Sequence, residues 1–101
     1  MPDYFVRIDS SALHALPAEQ KRELLEREWV RGRELHAKGI LRRLWQLPAQ
    51  KGNIGLWSAA DAEELNDAVQ SLPIWPYITT HVEPVALHPL FAAIDADPAP
   101  E

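Results

Sequence analysis

Two prolines set close together constrain this chain more than any other feature. In Ser71-Leu72-Pro73-Ile74-Trp75-Pro76-Tyr77, Pro73 lacks a backbone donor and ends any helix that precedes it. Pro76 disfavours helical angles at Trp75 in the same way. The segment therefore reads as a stiff, extended connection. It carries Trp75 and Tyr77 where an ordinary loop is polar, so it reads as one wall of something larger.

The remaining elements follow from period and punctuation. Residues 4–8 are rich in β-formers and read as a strand. Residues 10–16 read as a loop. Pro17 suits the first position of a helix, with Glu19 and Glu23 near its positive end. That helix runs to about Lys38, where Gly39 is a natural cap. Leu24, Glu28, Arg31 and Leu35 share one helical row, and Leu25, Trp29, Gly32 and His36 another; the core-facing stripe draws on both. Gly32 inside a helix costs about 1 kcal/mol relative to Ala, which points to close approach to a sheet or a second subunit. Residues 40–47 and 53–57 read as a hairpin of strands. Ser58 with Asp61 resembles a capping box before a second helix bearing Leu65, Val69 and Leu72. Residues 77–85 read as the last strand.

The order is β-α-β-β-α-β, an α+β, ferredoxin-like pattern with four strands and two helices on one face. The second strand alternates Leu41, Trp45 and Leu47 against Ile40 and Leu44, so both of its faces are apolar. A second sheet packed on the bare face answers this, and a dimer of such units builds a barrel-like core. Surplus apolar area points the same way, since a chain of 101 residues is 47% hydrophobic with four Trp. Residues 1–90 are expected to form a single domain, and 91–101 an acidic, Pro-rich tail that is an arm or disordered.

Several function classes are excluded. The net charge is −5, and Arg42-Arg43 alone is no phosphate-binding patch, so nucleic acid is not an expected partner. Without cysteine there is neither a disulfide framework nor thiol chemistry. No histidines pair at zinc-motif spacing, so no metal is expected. Gly52-Asn53-Ile54-Gly55 is too short a match for nucleotide binding. The first residues lack the basic-then-apolar pattern of a signal peptide, and no apolar run is long enough to span a bilayer. A soluble, cytoplasmic domain with no membrane partner is expected.

Among candidate site residues Glu28 leads. It lies between Leu24 and Leu35 on the apolar side of the first helix, where desolvation raises a carboxyl into the range useful for proton transfer. The alternative is an edge glutamate bridged to Arg27 or Arg31. Arg42 and Arg43 are expected on opposite faces of a strand, so either could hold a carboxylate in a pocket or form a surface or intersubunit ion pair. Asn53 could bind a polar ligand or satisfy a turn. Tyr77 could offer its hydroxyl or pack as a core ring, and Trp45 could line a pocket or an interface. His81 could act as acid or base near neutral pH or be a satisfied strand histidine.

Glu28, the Gly39-to-Trp45 block, Asn53, the Asp61-to-Leu65 helix start, the Pro-bracketed segment and His88-Pro89 together resemble the muconolactone isomerase family, over roughly residues 4–89. The resemblance implies a ferredoxin-like fold dimerised into an α+β barrel and assembled further, to a decamer, in characterised members. It implies cofactor-free isomerisation of a lactone in bacterial aromatic breakdown by the β-ketoadipate route. By the same resemblance Glu28 is the base, Arg42 or Arg43 the carboxylate clamp, and Asn53 and Tyr77 polar donors. Where members carry Arg after the Trp of the second strand, this chain has Gln46. Where they often carry His in the second helix, it has Asn66. Two acidic positions at the start of the last strand are Thr79 and His81. These departures make an isomerase or dehalogenase of a substituted muconolactone an alternative, beside a non-catalytic module that binds a small molecule or builds an assembly.

Overall fold

A computed structural model describes residues 1–96. The elements are β1 (Asp3–Asp9), α1 (Ser11–His14), α2 (Ala18–Ala37), β2 (Leu41–Gln46), β3 (Gly52–Ser58), α3 (Ala62–Gln70), a 3-10 turn (Trp75–Tyr77), β4 (Thr79–Val85) and α4 (Pro89–Ala96). β1 lies inside the sheet because its period is the cleanest: Tyr4, Val6 and Ile8 are buried while Arg7 and Asp9 are exposed. It pairs antiparallel with β3 on one side and β4 on the other, and the four-stranded order is β2-β3-β1-β4. The fold is thus α+β on an antiparallel sheet. Tyr4, Val6, Ile8 and Trp57 join Leu13, Leu24, Leu35, Leu65, Val69, Leu72 and Ile74 in one core.

Local chemistry sets the helix ends. Pro17 stands just before α2 rather than within it, and the helix closes on Gly39 at φ 75°. There the Ile40 amide donates to the Leu35 carbonyl at 3.0 Å and the Gly39 amide to the His36 carbonyl at 2.9 Å. This pair of bonds is a Schellman closure, which needs a left-handed residue that glycine adopts without strain. The loop expected at residues 10–16 contains α1. The Asp9 carboxylate accepts from the Ser11 amide at 2.9 Å, and Leu13 plugs the core. The expected capping role of Ser58 falls instead to Asp61, whose side chain accepts from the Glu64 amide at 2.8 Å. Ser58 ends β3 and donates its hydroxyl to Asp3.

The Pro-bracketed segment is not extended. The Trp75 amide donates to Leu72 at 2.9 Å and the Tyr77 amide to Ile74 at 2.8 Å, so the chain makes successive tight turns. Pro76 fits because its position in so short a turn needs no donor, and its fixed φ suits 3-10 geometry.

The alternation expected in β2 also shifts. Its pairing with β3 slips between Leu41 and Arg43, a bulge that changes the phase of every residue after it. Leu41, Leu44 and Gln46 therefore share the helix-covered face with Trp57, Gly55 and Asn53, whereas Arg43 and Trp45 lie beside Leu56 and Ile54 on the other. On that uncovered face Phe5 and Trp45 pack with ring centroids 6.2 Å apart.

Residues 89–96 form a helix with no buried side chain, exposing Leu90, Phe91 and Ile94. The rest of the expected tail, 97–101, lies outside the described residues. Among the described residues no helix is long and apolar enough to cross a membrane.

Candidate active site

A cavity of about 750 Å³ opens between α2 and the helix-covered face of β2 and β3. Helical period explains its α2 wall. Leu25, Glu28, Trp29, Gly32, Arg33 and His36 recur every three or four residues and all line it. Opposite them stand Leu41, Leu44, Gln46, Gly52, Asn53 and Trp57, and the inner end is closed by Leu72 and Ile74. Gly32 does not pack closely against the sheet, the first of the two reasons expected for it. A Cβ there would meet nothing within 4 Å, so this glycine faces open space in the cavity wall. Trp29, 68% exposed, stands at the mouth.

Glu28 is the half-buried carboxyl of this cavity. Burial among apolar neighbours raises its pKa above the ordinary 4.5, and a hydrogen bond from the Ile74 amide pulls partly the other way. That bond is 3.3 Å long. The alternative pairing with Arg31 is not made. Arg31 binds Glu34 at 2.9 Å and the Ser71 hydroxyl at 3.0 Å, and among the described residues no cation forms an ion pair with Glu28. A carboxyl so placed keeps its proton to higher pH than a solvated glutamate does.

Two further polar atoms lie sealed at this site without a partner among the described residues, Asn53 Oδ1 and Trp57 Nε1. Trp57 is 1% exposed, and its indole crosses the neighbouring strand position so closely that a Cβ on Gly55 would stand 2.8 Å from Nε1. Unpaired buried groups cost about 1–3 kcal/mol each.

Of the residues singled out in the sequence, the cavity brings together Glu28 and Asn53. Arg42 and Arg43 line a separate groove of about 500 Å³ with His36, Gly39 and Leu56. Arg42 there lies 3.9 Å from Asp3. The bulge in β2 is the reason, because it gives the cavity-facing positions to Leu44 and Gln46. Trp45 lies on the uncovered sheet face. The Tyr77 hydroxyl accepts from Gln20 Nε2 at 3.4 Å, near the start of α2. His81 lies opposite Arg7 in the sheet and meets Glu83 at 2.8 Å in an exposed pair. Sequence reasoning passed over Arg33 and named Gln46 only as a departure from the family's pattern; both line the cavity. The helical row through Trp29 and His36 was the available signal for Arg33, since Arg33 follows Trp29 by one turn.

Comparison with known proteins agrees with this architecture. The family model described as muconolactone delta-isomerase matches residues 3–90. A muconolactone delta-isomerase of Cupriavidus pinatubonensis is 30% identical over 86 residues, covering 85% of this chain and 94% of the relative. Another, from Acinetobacter baylyi, is 30% identical over 84 residues, covering 83% and 88%. The crystal structure of a muconolactone isomerase superposes with a TM-score of 0.78 at 22% identity, covering 86% of this chain and 91% of that one. The matches span nearly all of the sheet, the helices and the cavity between them, and the chain belongs to the muconolactone delta-isomerase family.

Proposed function

We propose that the protein is a cofactor-independent isomerase that moves the double bond of a muconolactone-type lactone, with Glu28 as the base. The observation that carries this reading is the raised pKa of a lone carboxyl inside a cavity of ligand size. The Glu28 carboxylate takes the ring proton from the carbon bonded to the lactone oxygen. The electron pair left behind spreads through the ring as a dienolate, with its charge on the carbonyl oxygen. The proton then returns at the carbon beside that carbonyl. One proton leaves and one returns, so the step is redox-neutral and needs no external electron acceptor.

The dienolate requires a donor at its oxygen. Asn53 supports this role by its place on the cavity wall. Leu25, Leu41, Leu44 and Trp57 keep the space apolar, which strengthens each polar contact made within it. In this reading the sheet is a ferredoxin-like unit that pairs with a second copy through the face bearing Phe5, Trp45, Ile54 and Leu56, and the enzyme serves cytoplasmic breakdown of aromatic compounds.

The test is turnover. Purified protein mixed with muconolactone should change its ultraviolet absorbance at a rate proportional to protein concentration. Absence of turnover with muconolactone and with every substituted butenolide tried, from mild acid to mild base, contradicts the reading.

A further inference from the structure

We propose that Arg33 is the cation that holds the carboxylate of the substrate's side arm, so that it selects acidic lactones over neutral ones. The proposal rests on the lactone-isomerase reading of this cavity. Among the described residues Arg33 is the one Arg or Lys that lines the space Glu28 also lines. Arg42 and Arg43, the arginines of β2, line the separate groove.

Two features of Arg33 fit it to receive an anion. Its guanidinium carbon lies over the Trp29 ring, 6.0 Å from the centroid, a cation–π contact that holds the side chain beside the cavity mouth. In addition, no carboxylate among the described residues pairs with it, whereas Arg22 and Arg31 on the same helix are both paired with glutamates. A planar, unpaired guanidinium at a cavity wall suits bidentate binding of a carboxylate.

Arg33 follows Glu28 by five residues on α2, and both side chains line the same cavity. Arg33 is exposed and Glu28 half-buried, so the charged arm would stay towards water while the apolar ring enters the cavity. The opposite orientation would bury an unpaired carboxylate, which is costly.

The test compares muconolactone with its neutral methyl ester on wild-type protein, Arg33→Gln and Arg33→Lys, by turnover and by calorimetric binding. Charge-assisted hydrogen bonds contribute about 1.5–3 kcal/mol, so Arg33→Gln should lower kcat/KM for the acid about 10- to 100-fold, mostly through KM. The same change should alter the ester by less than about threefold, and Arg33→Lys should restore part of the acid's rate. Equal losses on acid and ester, or no loss on the acid, would overturn the proposal. If the wild-type protein turns over neither compound, the isomerase reading fails. The binding arm then decides the role of Arg33 by itself: preference for the acid that disappears in Arg33→Gln supports it, and equal binding of acid and ester, or of neither, refutes it.

Discussion

The Ile74 amide donates to Oε1 of Glu28 at 3.3 Å, so the Pro-bracketed turn and the middle of α2 meet at one carboxyl. Ser71 repeats the link one turn along the helix, where its hydroxyl accepts from Arg31 at 3.0 Å. The turn therefore acts as a brace for the helix that carries Glu28. Ser71 and Glu34 together occupy Arg31.

Burial of Glu28 has a consequence for stability. Its carboxyl is raised above 4.5 in the folded state, so the folded protein holds that proton more tightly than the unfolded chain. This contribution favours folding in acid and is lost as pH rises through the folded pKa. Glu28→Gln keeps an acceptor for the Ile74 amide and removes the charge. The variant should be more stable than wild type at neutral pH, with the difference vanishing below the ordinary carboxyl range. Urea midpoints measured across that range check the sign.

Gly32 and Gly52 should respond oppositely to alanine. A Cβ at Gly32 meets nothing within 4 Å, so Gly32→Ala should stabilise by about 0.8–1 kcal/mol through helix propensity. A Cβ at Gly52 would lie 2.3 Å from the Ile8 backbone oxygen. Gly52→Ala must therefore part β1 from β3 and should destabilise by about 1–3 kcal/mol. Thermal melts separate the two, because about 1 kcal/mol moves Tm by about 4–8 °C in a domain of this size.

Asp61, not Ser58, caps α3 through the Glu64 amide. Asp61→Ala should cost about 1 kcal/mol, read as a lower denaturation midpoint, while Asp61→Asn should recover most of it.

The uncovered sheet face should bury itself against a second copy. Light scattering of the wild-type protein should give a mass above that of the monomer. Trp45→Asp, which places a charge beside Phe5, should lower that mass without changing the circular dichroism. A wild-type monomer contradicts the pairing.

Much of this structure is legible in residue order. The periods of residues 4–8, α2 and the β2–β3 hairpin reveal the α+β sheet, and Glu28 stands out as a charge within an apolar row. Other features are hidden for physical reasons. The β2 bulge between Leu41 and Arg43 has no glycine or proline to mark it, yet it moves Arg43 and Trp45 away from the cavity. A proline pair signals a helix stop equally well whether the chain then extends or turns, so the 3-10 turn at Trp75–Tyr77 follows only once Leu72 and Ile74 are packed in the core. Arg33 looks like any solvated helix charge until Trp29 and the open side of Gly32 place it at a cavity. The unpaired indole nitrogen of Trp57 depends on a crossing over Gly55 that no local pattern encodes.

The central claim is that Glu28 carries the proton. It is tested most directly by the muconolactone turnover of Glu28→Gln, measured beside wild type on protein of unchanged circular dichroism and unchanged mass in solution. General base catalysis contributes about 10²–10⁴-fold, so kcat should fall by that factor with the fold intact. A Glu28→Gln variant that isomerises muconolactone at the wild-type rate would contradict the account.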